Sequence, residues 1–123
     1  MKAGEQPAPQ KKFPAAFYQL PNGSEPVREW LKSDAFSKAD RKKLGEDIAT
    51  VERGWPLGMP LCDSLGGGLW EIRSSLSAKR EPRIIFCVVN RQLILLHGFI
   101  KKDRKTPKRD LDLAKKRKKE IET

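Results

Sequence analysis

The stretch Leu95-Leu96-His97-Gly98-Phe99-Ile100-Lys101-Lys102-Asp103-Arg104-Lys105-Thr106-Pro107 concentrates chemistry in one place. An apolar strand ends at the single histidine and an aromatic ring, and four basic side chains follow before a helix start. An imidazole changes charge near neutrality and can carry a proton. A ring can stack on a base, and ammonium and guanidinium groups neutralise phosphate. Histidine, ring and cations at one strand end suit the holding and cutting of a ribose-phosphate backbone.

The elements that position this cluster belong to a chain of 123 residues, enough for one modest core. Residues 1–13 read as a disordered polar tail, and 14–123 as a single domain. The formal charge of +10 points to a polyanionic partner such as nucleic acid, ribosome or anionic membrane. From Gly98 onward eleven Lys/Arg face five Asp/Glu, so the excess is weighted to the last quarter. No apolar run approaches the ~20 residues of a membrane span, and the first ten residues lack the apolar stretch of a secretory signal. Cys62 and Cys87 have no metal-site spacing and read as thiols of a cytoplasmic protein. Neither a metal nor a cofactor is expected.

Ala15–Leu20 reads as a strand stopped by the turn signal Pro21-Asn22-Gly23. Ser24 is expected to cap a short helix with Pro26 in its first turn and Val27, Trp30 and Leu31 on its apolar face. Ser37-Lys38-Ala39-Asp40 predicts a capping box, Leu44, Ile48 and Val51 a helical stripe, and Gly54 a stop. The next eight residues, from Gly54 to Leu61, read as a turn-rich connector.

Three strands are then expected. Leu69–Leu76 alternates, with Glu71 and Arg73 on its polar side. Arg83–Val89 is apolar almost throughout, as in a central strand covered on both faces. Asn90-Arg91 turns tightly into Gln92–Phe99, so these two strands pair antiparallel. Thr106 is expected to cap a basic helix from Lys108 to Ile121, with Pro107 in its first turn and a thin stripe of Leu111, Ala114 and Ile121. The order β-α-α-β-β-β-α predicts an α+β fold, a small, mostly antiparallel sheet with two helices on one side.

Five blocks carry a family resemblance: Pro26–Leu31, Gly54–Pro60, Gly68–Arg73, Arg83–Phe86, and Leu96–Lys102 with the Thr106-Pro107 helix start. They are similar to the RelE/ParE toxin superfamily of bacterial toxin–antitoxin modules, and within it to the phage-derived HigB-like branch. The resemblance spans roughly residues 15–121. It implies a ribosome-dependent messenger-RNA endonuclease held in check by a helix-turn-helix, HigA-like antitoxin. In such toxins the RNA's own 2′-hydroxyl attacks the adjacent phosphate. That chemistry needs a base, an acid and cations for the phosphorane. Two alternatives share the frame: a ParE-like toxin acting on a protein target such as DNA gyrase, and a phage-derived remnant that only binds nucleic acid.

Five residues are candidates for catalysis. Arg73 reads as a phosphate clamp, or as a surface partner of Glu71. Arg83, expected to open the central strand with its stem buried and its head exposed, matches the arginine that such toxins place beside the scissile phosphate; its rival role is a sheet-edge ion pair with Glu81. His97, expected to share a face with Leu93, Leu95 and Phe99, is either the acid/base or a structural hydrogen-bonding group. Lys101 and Lys102 stabilise the phosphate or carry a proton. Phe99 stacks on a base or completes the core. Arg104, Lys105, Lys108, Lys115 and Lys116 are the further RNA-binding candidates, the last helix being otherwise a solvated basic surface. Trp30, Trp55 and Trp70 read as core anchors.

Overall fold

The computed structural model describes residues 11–102 and 104–122. Three helices flank one five-stranded sheet: β1 (Ala15–Phe17), α1 (Pro26–Lys32), α2 (Lys38–Gly54), β2 (Cys62–Gly66), β3 (Leu69–Arg73), β4 (Pro82–Val89), β5 (Gln92–Ile100) and α3 (Lys108–Glu122). The strand order is β1-β5-β4-β3-β2, with β1 parallel to β5 and every other pair antiparallel. The mixed α+β fold is thus as expected, with β4 in the central position that its apolar run predicted.

One strand more is present than the sequence suggested. Cys62-Asp63-Ser64-Leu65-Gly66 carries turn-forming residues that sit poorly in strands, yet it pairs antiparallel with β3 as an edge. The connection runs through Gly66, Gly67 and Gly68 at φ of 83°, 63° and 81°, a left-handed run open to glycine. At the other edge, the strand expected over Ala15–Leu20 ends at Phe17, although Tyr18 N–H still donates to the Leu95 carbonyl at 3.0 Å. The strand expected to reach Leu76 ends at Arg73. The expected tail over 1–13 lies outside the described residues as far as residue 10. Of its end, Phe13 N–H donates to the Glu52 carbonyl at 3.0 Å, and Lys11 pairs with the Glu52 carboxylate at 3.2 Å.

The α2 capping box forms as predicted, Ser37 Oγ accepting from Asp40 N–H at 3.1 Å and Asp40 Oδ2 from Ser37 N–H at 2.9 Å. Arg80 also bonds the Asp40 carboxylate, and these donors hold it below the usual carboxylate range, Arg80 contributing most. Two other expected caps are absent. Ser24 N–H donates to Asn22 Oδ1 in a turn, and Glu25 precedes α1 with no side-chain cap. Thr106 spends its hydroxyl on Glu71 instead of α3, whose Asp110 and Leu111 N–H groups donate to the Pro107 carbonyl.

Helices cover both faces of the sheet. Val27 and Val51, from α1 and α2, pack with Trp55, Cys62, Ile72, Ile84, Phe86, Leu93 and Leu95. On the opposite face Ala114 of α3 packs with Tyr18, Leu69, Ile85, Cys87, Leu96 and Phe99, flanked by Leu111 and Ile121 as its stripe predicted. Burial pushes the free thiols of Cys62 and Cys87 up to about 11, which leaves them unreactive near neutrality. Among the described residues no helix is long and apolar enough to cross a membrane.

The decisive local feature is a bulge in β5. Its register against β4 shifts between Ile85, opposite His97, and Phe86, opposite Leu95, so Leu96 is the extra residue. Plain alternation would put His97 on the face of Leu93 and Leu95; the bulge turns it to the α3 face. Arg117 of α3 donates to the Leu96 carbonyl at 2.7 Å, supplying a partner at the interrupted ladder. Gly98 then lies under Trp30 of α1, where a Cβ would come within 2.3 Å of the indole ring.

Candidate functional site

Because directly opposed residues of neighbouring strands point the same way, the registers define two rows on the α3 face. One row is Arg73, Arg83 and Phe99; the other is Asp63, Glu71, Ile85 and His97. Both rows lie at the sheet end where β3 stops, β4 starts and β5 runs into the basic segment. The segment returns over this end because Thr106 Oγ1 donates to Glu71 Oε2 at 3.1 Å.

The result is an open cleft of about 400 Å³ whose cations are Arg73, Lys101, Arg104 and Lys105, with Glu71 and Asp63 also in its lining. Arg73 does not pair with Glu71; its Nη1 donates to Met59 Sδ at 3.0 Å. Glu71, 5 % exposed, serves the Thr106 hydroxyl and stands 4.0 Å from Arg83 Nε.

Arg83 differs from expectation. Its stem is buried as predicted, but so is its head, the residue being 2 % exposed. Nη1 donates to the carbonyls of Ser74 and Pro82, at 3.1 and 3.0 Å, and Nη2 to Glu81 Oε1 at 3.5 Å. Nε has no hydrogen-bond partner. Burial, and next the facing Arg73, pull this guanidinium below its ordinary value, while Glu71 and Glu81 oppose them. Arg83 is not in the cleft lining; with Arg73 and Glu81 it lines a neighbouring hollow of about 340 Å³.

His97 is half-buried, its Nε2 2.6 Å from Asp110 Oδ1 and its ring stacked on Phe99 at 5.9 Å between centroids. It joins β5 to the first turn of α3 and is not part of the cleft lining. Phe99 is buried in the α3-side core, and with Lys102 it borders an adjoining hollow of about 480 Å³. Lys101 and Lys102, adjacent in sequence, thus serve different hollows. Lys108 is exposed and pairs with Asp112 at 3.6 Å. Lys115 and Lys116 lie exposed along α3, Lys116 in a separate small hollow beside Tyr18. These three do not join the Arg73 cleft. Trp55 stands edge-on to Trp70 and Phe86 in the core, and Trp30 edge-on to Phe36.

Sequence reasoning passed over four contributors: Glu71 as a cleft carboxylate, Thr106 as its donor, Asp110 as the partner of His97, and Met59 as the partner of Arg73. Only Glu71 carried a signal, a charged residue in an otherwise well-packed strand motif. The others depend on segments that meet only when the sheet is assembled.

Comparison with known proteins adds the lineage. No curated protein matches the sequence. The family model described as Phage derived protein Gp49-like (DUF891) matches residues 29–119, a span that includes α2, the four strands β2 to β5 and most of α3. The chain accordingly belongs to the Gp49-like family of phage-derived proteins, a family associated with the toxins of toxin–antitoxin modules.

Proposed function

We propose that this protein is the toxin of such a module and cleaves messenger RNA on the ribosome. The observation that carries the reading is the convergence of Arg73, Lys101, Arg104 and Lys105 on one open cleft that also holds a buried carboxylate. Four cations against the two carboxylates Asp63 and Glu71 leave the concavity positive, which suits a phosphodiester whose charge grows in the transition state. Glu71 accepts the proton of the RNA 2′-hydroxyl. The freed oxygen attacks the adjacent phosphorus, the bond to the 5′-oxygen breaks, and the Lys101 ammonium returns a proton to that oxygen. The products are a 2′,3′-cyclic phosphate and a 5′-hydroxyl.

Arg73 holds the non-bridging oxygens, and Arg83 adds positive potential from the neighbouring hollow. His97 acts as a positioning residue, since its bond to Asp110 fixes the start of α3. A helix-turn-helix antitoxin, the partner of this reading, covers the basic cleft and keeps the toxin silent.

A defined message incubated with the purified protein should acquire cyclic-phosphate ends when ribosomes are present and stay whole without them. Messages left intact at concentrations that halt translation would overturn the reading. Arg73→Ala should slow cutting by about a hundredfold, the lower end for losing one oxyanion donor. Glu71→Gln, which can still accept from Thr106, should slow it comparably.

A further inference from the structure

Arg73 borders two hollows, and they differ in chemistry. Beside the basic cleft, a second hollow of about 340 Å³ is lined by Met59, Leu61, Ser75 and Arg73 together with two ion pairs, Lys43 with Asp47 and Arg83 with Glu81. Met59 is 61 % exposed, the one large apolar side chain so exposed among the described residues. Its Sδ accepts from Arg73, so an apolar shelf meets the phosphate-binding cation at its edge. Glu81, with a side chain 48 % exposed, offers acceptor oxygens, and Ser75 offers a hydroxyl.

A phosphate has no use for an apolar shelf, Glu81 repels it, and the hollow's other cations, Lys43 and Arg83, are already paired with Asp47 and Glu81. A nucleobase fits both features, because a flat ring can lie on a thioether and its edge can donate to a carboxylate. We infer that this hollow receives the base next to the phosphate held in the basic cleft, and that it favours bases bearing an amino group. Adenine, cytosine and guanine each present such a donor to Glu81. The single ring donor of uracil is flanked by two carbonyl oxygens, which the carboxylate repels. The inference rests on the basic cleft being the phosphate site, and it assigns base selection to Met59 and Glu81.

The test is a titration of the full-length, isotope-labelled protein with the four ribonucleoside 5′-monophosphates and with inorganic phosphate, followed by amide chemical shifts. AMP, CMP and GMP should move Met59, Ser75 and Glu81, and UMP should move them weakly. Met59→Ala should weaken AMP by about fivefold or more, the low end for losing a stacking surface. Glu81→Gln should bring UMP level with the other three. Shifts confined to residues 101–106 and equal for all five ligands would overturn the assignment, as would absence of binding or indifference to both substitutions. No ribosome enters this measurement, so its result separates from that of the cleavage assay. Nucleotides bound as expected with messages left whole would overturn the nuclease reading alone; messages cut with binding indifferent to Met59 and Glu81 would overturn the base site alone.

Discussion

Among single residues, Arg83 shows how burial changes what a charge does. Its guanidinium donates to two main-chain carbonyls and lies beside Glu71, itself buried. Removing one member of a buried pair leaves the other uncompensated, at a cost of ~3–5 kcal/mol. Arg83→Ala should therefore lower the urea midpoint substantially, whereas a purely catalytic arginine would lose activity with stability unchanged. Arg73, more exposed and held by a thioether, is the residue whose loss should touch activity first. The sequence supplied both arginines through the alternation in Leu69–Arg73 and the family blocks. It could not rank them, because Arg83 is sealed by Ser74, Pro82 and Glu81, whose arrangement depends on how β3 and β4 end.

The informative unit at the next scale is β5. Its bulge at Leu96 delivers His97 and Phe99 to the face where Glu71, Arg73 and Arg83 already stand. Alternation alone assigns His97 to the opposite face, and no residue type in Leu93–Phe99 announces the extra position. What holds it is remote: Arg117, on α3, bonds the Leu96 carbonyl. Gly98 belongs to the same device, since only a residue without Cβ lets Trp30 lie on the strand. Gly98→Ala should cost ~1–3 kcal/mol by overpacking, read as a fall in melting temperature. A smaller ring at position 30 should recover part of it; unchanged stability in Gly98→Ala would show that Trp30 moves away freely. The helices were more legible. Stripes and the Ser37 capping box are local, whereas β2 exists only because β3 pairs with it.

Across the whole molecule, part of the excess positive charge gathers in a cleft and part lies along α3. If the cleft binds RNA through phosphates, affinity for a single strand should fall as salt rises, and Arg73→Ala should flatten the log–log slope by about 0.7. Fluorescence anisotropy with a labelled oligonucleotide measures this; a slope unchanged in the variant would remove Arg73 from the phosphate contacts. By itself the sequence determined what is carried by short-range pattern: the helices, the strands β1, β3, β4 and β5, the α+β class, the thiols and the basic character of the last quarter. Periodicity and net charge are sums over neighbours, so one chain suffices to read them. Tertiary structure alone decided which cations share a cleft. It parted Lys101 from Lys102, buried Arg83, tied Thr106 to Glu71, and turned His97 toward Asp110. Each of those outcomes depends on strand register and on where a distant helix docks, and register is set by packing on both sheet faces at once.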